Sequence, residues 1–358
     1  MTTRRLGEIA TFINGRAFKP SEWSDSGMQI IRIQNLTNSE SNFNYFKGDY
    51  DNKYLVKAND LLISWSATLD IFRWKGNPAL LNQHIFKVVF DKCEVDQDYF
   101  YYAVKNELEY MRTQTHGSTM KHITKKPFEN VQIYFPSIDL QKKIGLNLNK
   151  IDEIRAKNGT AQELSSAYPL ALFNKMFNNP ERKWQVKSLA DACEFLDNLR
   201  KPVKESERKP GPYPYYGANG QVGTIDDYLF DEPLVLLAED GGNWGDPSRH
   251  IAYEISGKSW VNNHAHVLRP EKGFDISFIL YSIAYIDIQH LISGTTRGKL
   301  TKKAAESIPI TCAPVELQKE FGKRITAFKK VRENQAKSTE RLDSLFASLS
   351  NKYFNSVK

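Results

Sequence analysis

The sequence predicts an α+β chain in which two mostly-β domains with small helices are separated by two long helices that form a coiled coil. Three observations lead there. The chain repeats itself in register, two stretches carry apolar residues every three or four positions, and the remainder is broken into short β-branched and aromatic segments.

The repeat is the strongest of these. Gly117-Ser118-Thr119-Met120-Lys121-His122-Ile123-Thr124-Lys125-Lys126 matches Gly294-Thr295-Thr296-Arg297-Gly298-Lys299-Leu300-Thr301-Lys302-Lys303 at an offset of 177 positions. The same offset holds without a gap through Leu140-Gln141-Lys142 and Leu317-Gln318-Lys319, then Gly145/Gly322 and Arg155/Arg332. It still holds at Asn174–Asn178 and Asn351–Asn355. Upstream the match survives with shifting offsets: Leu6–Phe12 pairs with Leu189–Phe195, and Leu81-Asn82-Gln83-His84 with Val261-Asn262-Asn263-His264. Shifting offsets mean insertions and deletions, which concentrate in surface loops. The chain is two copies of one unit, each a variable part followed by a better-matched part.

In order along the chain, residues 1–138 form the first β-rich domain. Met28–Ile33, Asp60–Trp65 and Ile85–Phe90 read as strands, and a helix is expected around Tyr99–Met111. Residues 139–178 form the first long helix, with apolar Leu140, Ile144, Leu148, Ile151, Ile154, Ala161, Leu164, Tyr168 and Leu172 along one stripe. Pro169 lacks a backbone N–H and should kink or break it, making its last turns a separate piece. Residues 179–315 form the second β-rich domain, with strands at Pro233–Ala238 and Ala265–Leu268 and a helix around Ser277–Leu291. Residues 316–358 form the second long helix, striped by Leu317, Phe321, Ile325, Phe328, Val331, Leu342, Leu345, Phe346 and Leu349. Turn signals at Pro136-Ser137 and Pro314, with Asp139 and Glu316 in the first turns, suit two helix N-termini. Helices of about 35–40 residues span roughly 50–60 Å, and a single apolar stripe on each needs a partner, most simply the other copy.

Composition sets the class. The chain has 358 residues, 41% hydrophobic and 25% charged, as in an ordinary globular protein of about two domains. A net charge of +7 from 49 basic and 42 acidic residues favours a polyanionic partner. Cys93, Cys193 and Cys312 are far apart and form no CxxC pair, which suggests reduced thiols rather than a disulfide framework or zinc site. The N-terminus has no apolar h-region and no stretch of about 18 apolar residues occurs, so a soluble cytoplasmic protein without membrane contact is expected.

No catalytic constellation emerges. There is no GxxxxGK[ST] phosphate loop, no GxGxxG after a strand and no HExxH among the seven histidines. The motif by which amino-methyltransferases hold a flipped base, [Asn/Asp]-Pro-Pro-aromatic, is missing, and Gly211-Pro212-Tyr213-Pro214-Tyr215-Tyr216 reads as a rigid turn leading into a strand. His264 and His266 share a strand face but have no ligand beside them in sequence, so hydrogen-bonding roles are expected and neither metal nor cofactor.

What remains suits DNA. In the duplicated Gly-[Ser/Thr]-Thr…Thr-Lys-Lys loop, hydroxyls and backbone N–H groups can cradle a phosphate, and cations neutralise it. The candidates are Gly117, Ser118, Thr119, Lys121, His122, Lys125 and Lys126, then Thr295, Thr296, Arg297, Lys299, Lys302 and Lys303. An exposed basic turn without a partner explains one occurrence, and two in one register favour a bound polyanion. Base reading needs bidentate side chains. Arg32, Gln34, Asn35, Trp65, Arg73, Asn82 and Gln83 are candidates in the first copy; Asn219, Gln221, Asn243, Trp244, Arg249, Asn262 and Asn263 in the second. Gly241-Gly242-Asn243-Trp244-Gly245 reads as a loop presenting an aromatic and an amide.

These features together resemble the specificity subunits of type I restriction-modification systems. The resemblance rests on Gly-x-Thr…Thr-Lys-Lys followed by Ile133–Ile144 (Ile-Tyr-Phe-Pro-Ser-Ile-Asp-Leu-Gln-Lys-Lys-Ile) or Ile310–Phe321, with Leu6-Gly7-Glu8-Ile9 at the start, and covers essentially the whole chain. Pro314 sits one place later than Pro136 in the repeat, so the pattern is not identical in the two copies. The resemblance implies two target recognition domains, each reading half of a bipartite double-stranded DNA target. It implies an antiparallel coiled coil that sets the gap and docks two DNA methyltransferase (modification) subunits, which carry the adenine-N6 chemistry and bind S-adenosylmethionine. It further implies ATP-dependent restriction/translocase subunits and a part in host defence, with no catalysis in this chain. The competing expectations are a coiled-coil protein-interaction scaffold, whose binding salt would not weaken, and a nuclease, which would need a Pro-Asp…Glu-x-Lys cluster.

Overall fold

The computed structural model describes the chain except residues 1, 39, 67, 115–123, 179–180, 245, 247–248, 295–297 and 356–358, and for residues 112–114 and 355 the backbone alone. It divides into two compact units, Met1–Gly159 with Lys337–Lys358, and Thr160–Ala336. Each therefore takes one β-rich domain together with parts of both long helices.

The first unit contains two four-stranded sheets. One orders Thr11–Asn14, Ile85–Val89, Leu61–Ser64 and Asp70–Arg73, all antiparallel. The other orders Asn44–Phe46, Met28–Ile31, Ala79–Leu81 and Leu55–Val56, with one parallel pairing, Ile30↔Leu80 and Ile31↔Leu81. Thr3–Arg5 pairs separately with Gln132–Tyr134. The second unit repeats this strand for strand. Cys193–Phe195, Ala265–Pro270, Leu234–Ala238 and Ala252–Ile255 form one sheet; Gly220–Ile225, Tyr213–Gly217, Lys258–Val261 and Phe230–Asp231 form the other, and Val186–Ser188 pairs with Pro309–Thr311. The parallel pairing recurs as Tyr215↔Trp260 and Tyr216↔Val261. The sequence repeat is thus a repeat of topology, and the shifting upstream offsets fall in the connections between conserved strands.

The central strands explain their unbroken apolar runs. Leu61–Ser64 and Leu234–Ala238 are buried throughout. Successive side chains point to opposite faces, so Leu61 and Ile63 enter the core under the helix Gln97–Gln114 while Leu62 enters the core with Ile31, Val56 and Leu81. Val235 and Leu237 likewise face one core of the second unit, and Leu234 and Leu236 the other.

The first long helix runs Ile138–Ser166 and stops, and a separate helix Tyr168–Phe177 follows with Pro169 in its first turn. The proline fits there because the first-turn N–H has no partner within the helix. The second runs Val315–Ser350 without a break. Their buried faces match at the repeat offset: Gln141, Ile144, Gly145 and Leu148 on one, Gln318, Phe321, Gly322 and Ile325 on the other. The helices pair antiparallel. In the second unit Arg332 donates to the Gln162 carbonyl at 2.6 Å and to Ser165 Oγ at 3.0 Å, while the Tyr168 ring packs tilted against Phe328 with centroids 5.0 Å apart. In the first unit Arg155 donates to Asp343 at 2.7 Å and lies over the Phe346 ring. Arg155 and Arg332, equivalent in the repeat, both clamp the opposite helix.

Each helix ends as a plug. Leu172, Phe173, Met176 and Phe177 complete the core of the second unit; Phe354 with Phe346, Leu349 and Tyr353 completes that of the first. The duplicated Asn174–Asn178 and Asn351–Asn355 segments are these plugs.

Two readings are corrected. The helix expected around Ser277–Leu291 is Ile276–Ile283, because the Ala284 carbonyl accepts from Ile251 N–H at 3.0 Å and the chain turns before a short 3₁₀ segment at Gln289–Leu291. The Thr-Lys-Lys motif is the start of a helix rather than a loop: Thr124 and Thr301 flank Lys125–Glu129 and Lys302–Glu306, and Phe128 and Ala305 anchor these to the cores. Among the described residues no helix is long and apolar enough to cross a membrane.

Candidate nucleic-acid interface

The parallel strand pair places most of the base-reading candidates. Parallel strands end on the same side, so the residues after Ile31 and Leu81 emerge next to each other, and Asn82 N–H donates to the Ile31 carbonyl at 3.1 Å. Arg32, Asn35, Asn82 and Gln83 therefore cluster at one sheet end. The second unit does the same: Asn262 N–H donates to the Tyr216 carbonyl at 3.0 Å, which brings Asn262 and Asn263 beside the Gly217–Gly220 turn that carries Asn219.

Within that end the side chains divide by task. Asn35 is buried: its Oδ1 accepts from Arg32 N–H at 3.0 Å and its amide donates to the Ser41 and Asn42 carbonyls at 3.2 Å. Asn82 and Asn262 use their Oδ1 to hold the next loop, accepting from Gln83 N–H at 2.9 Å and His264 N–H at 2.8 Å. Gln83 and Asn263, at equivalent positions one residue on, are exposed. Arg32 is half-buried and lies over Trp23. Asn219 is exposed and donates to the Gly241 carbonyl at 2.8 Å. Of the other candidates, Arg73 is paired with Asp98 at 2.6 Å, and Trp65 Nε1 donates to Asn14 at 3.3 Å.

In the second unit the glycine-rich and basic segments meet. Ile292–Ser293 and Lys299–Leu300 form a small antiparallel ladder, and the Gly298 carbonyl accepts from Gly241 N–H at 3.3 Å and Trp244 Nε1 at 3.2 Å. Trp244 is half-buried against this ladder rather than presented outward, while Asn243 accepts a long 3.5 Å contact from Arg249. A Cβ on Gly298 would meet the Trp244 ring at 2.8 Å, so only glycine lets the two segments approach. Lys299 is exposed, with its ammonium 3.1 Å from Glu239. Gly117, Ser118, Thr119, Lys121, His122, Thr295, Thr296 and Arg297 lie outside the described residues.

The duplicated lysines are where a phosphate could reach them. Lys125, Lys126, Lys302 and Lys303 are all exposed. Lys125–Glu129 at 3.7 Å and Lys302–Glu306 at 3.8 Å are long surface pairs that a polyanion can outcompete.

Sequence reasoning missed a buried ionic network behind this ladder of the second unit. His266 is fully buried; its Nδ1 lies 2.7 Å from Asp197 and its Nε2 2.9 Å from the Leu300 carbonyl. Arg200 bridges Glu239 at 2.6 Å and Asp197 at 3.3 Å. Among the described residues Asp197, Glu239 and His266 are the group that converges as metal ligands do, but the Arg200 guanidinium already provides the cation. Burial raises the Asp197 pKa, yet the His266 bond and charge, the Val267 N–H and Arg200 outweigh it and hold the carboxyl below its ordinary range. The partners lie 69 positions apart, beyond the reach of local pattern. His264 faces Asp240 at 2.7 Å. The thiols are free, with Cys193 buried and its pKa pushed up to about 12 by burial.

A model of the type I restriction modification DNA specificity domain matches residues 1–166 and again 181–343. A Haemophilus influenzae chain described as a type I restriction enzyme specificity subunit is 33% identical over 153 residues, 43% of this chain and 39% of that one. The Escherichia coli EcoBI specificity subunit is 26% identical over 158 residues, 42% of this chain and 33% of its own. The chain thus spans about a third to two fifths of the length of these relatives. Among solved structures, the S subunit of the type I restriction-modification system of M. genitalium superposes with a TM-score of 0.68 at 16% identity, covering 99% of this chain and 96% of that one.

Proposed function

Because the chain belongs to the family of type I restriction modification DNA specificity domains, we propose that it is the sequence-reading subunit of such a system. Each β-rich unit reads one half of a bipartite duplex target. The antiparallel helices set the unread gap and dock the modification subunits, two per chain, which supply the methyltransferase chemistry. Restriction and translocase subunits join the same assembly, in the cytoplasm where host DNA lies. The chain itself selects the site and catalyses nothing.

One observation carries this reading: two units of identical strand order each present a polar sheet end, with Gln83 or Asn263 exposed, together with an exposed lysine pair at the same repeat position. Lysines contacting phosphate supply affinity and register, while amides that differ between copies supply different half-site preferences. Equilibrium binding of duplex DNA across a salt series tests it. Counterion release makes log K fall linearly with log salt, by about 0.9 per phosphate neutralised. A steep negative slope is expected, and a flat response would favour a protein-binding scaffold.

A further inference from the structure

The most conspicuous part of the repeat, Leu-Gln-Lys followed by Gly, touches none of the surface just described. Gln141 and Gln318 are 1% exposed. Gln141 Nε2 donates to the Pro136 carbonyl at 2.8 Å, and its Oε1 accepts from Asp96 N–H at 3.1 Å. Gln318 Nε2 donates to the Ala313 carbonyl at 2.7 Å and the Gly273 carbonyl at 3.3 Å, and its Oε1 accepts from Asp275 N–H at 2.9 Å. Asp96 and Asp275 are themselves helix caps. Asp96 accepts from Tyr99 N–H at 2.8 Å, and Asp275 from Ser277 and Phe278 N–H at 2.9 and 3.2 Å. One turn along each long helix, a Cβ on Gly145 would lie 2.6 Å from Asp96 Oδ1 and 2.8 Å from Tyr99 N, and a Cβ on Gly322 2.9 Å from Asp275 Oδ1.

These contacts form one device built twice. Glutamine spans from the turn that opens the long helix to the residue that caps the domain's own helix, and glycine removes the side chain that would hold the two apart. A neutral amide is required. Glutamate would set a buried charge against a carbonyl and beside the capping aspartate, and a hydrocarbon would leave a buried N–H and a buried carbonyl unpaired. A hydrogen bond at a turn and a close contact one helical turn away fix both height and rotation, which a single contact does not.

We propose that Gln141 with Gly145, and Gln318 with Gly322, are positioning residues that lock each β-rich domain to its long helix at a fixed angle and height, and thereby set the gap between the two half-sites. This rests on the reading of the chain as a bipartite DNA reader. The latch touches no DNA; it acts through the domain it holds.

The test uses the full chain expressed with its modification methyltransferase, as wild type and as Gln141→Leu, Gly145→Ala and Gln318→Leu, each checked for cooperative melting. Methylome sequencing then reads half-site sequence and gap length separately. Folded variants are expected to keep both half-site sequences while methylation at the wild-type gap falls at least tenfold relative to gaps one base pair longer or shorter. A merely structural role would lower methylation at all gaps alike, and that result in a folded variant overturns the latch. Should Gly145→Ala not fold, the two leucine variants carry the test, since each keeps the side-chain volume. A wild-type chain that directs no bipartite methylation would instead overturn the functional reading beneath it.

Discussion

Replacing Phe177 by alanine should unfold the second unit far more than a change at a helix tail ordinarily would. Phe177 is 5% exposed and packs against Phe173, Phe278 and Phe321 with ring centroids 5.0, 4.8 and 5.5 Å away. Phe→Ala at such a site removes transfer free energy and leaves a cavity, together about 3–5 kcal/mol. For a unit of this size each kcal/mol lowers Tm by about 2–4 °C, so a fall of roughly 6–20 °C is expected. Phe177→Leu, which keeps most of the volume, should cost less than half as much. Scanning calorimetry gives the shift, and amide hydrogen exchange locates it. Protection should fall in Ile276–Ile283, whose Phe278 faces the lost ring. A fall below about 2 °C with that helix still protected would refute the assignment of the segment as a core plug.

Further outcomes follow from the same geometry. Lys125→Ala combined with Lys302→Ala should weaken duplex binding equally across sequences and make the salt slope shallower by about two, as measured by titration at several salt concentrations; a sequence-dependent loss would mean these lysines read bases. Exchanging residues 1–138 for the corresponding domain of another such subunit should change one half of the recognised site and leave the other, as read by methylation pattern. Asp197 has a folded-state pKa below its ordinary value of 3.8, so its stabilising contribution is present above that value and is lost as pH falls below it through the folded-state value. Urea melts from pH 7 down to pH 2 should therefore show a stability loss below about pH 4 that Asp197→Asn lacks; identical pH profiles would argue against the His266–Asp197 bond.

Much of the architecture was legible. The stripes that begin at Leu140 and Leu317 are helical by spacing, although Leu140, Ile154, Leu164, Val331 and Leu345 on them are exposed, Pro169 marks the break it makes, and the register of the repeat implied two equal units. The lysine pairs lie exposed, on a helix start rather than in the loop expected. What could not be read was anything that depends on chain crossing. The parallel pairing of Met28–Ile31 with Ala79–Leu81 brings Arg32 beside Asn82, 50 positions further along the chain. The same blindness hid the bond from Trp244 to Gly298 and the Asp197–His266 pair, while the inward turn of Asn35 is a local cap and turn geometry closed by Arg32, Ser41 and Asn42. Gln141 and Gln318 did carry a signal: a long polar residue inside an apolar stripe, repeated with a glycine four positions later, is an internal hydrogen-bonding group rather than a surface one.

The bipartite reading is tested most directly by the methylated sequence in cells that carry this chain with its methyltransferase, compared with cells that lack the chain. Two short specified sequences separated by an unspecified gap of constant length, present only with the chain, is the predicted result. A single contiguous motif, or a pattern indifferent to the chain, would contradict it.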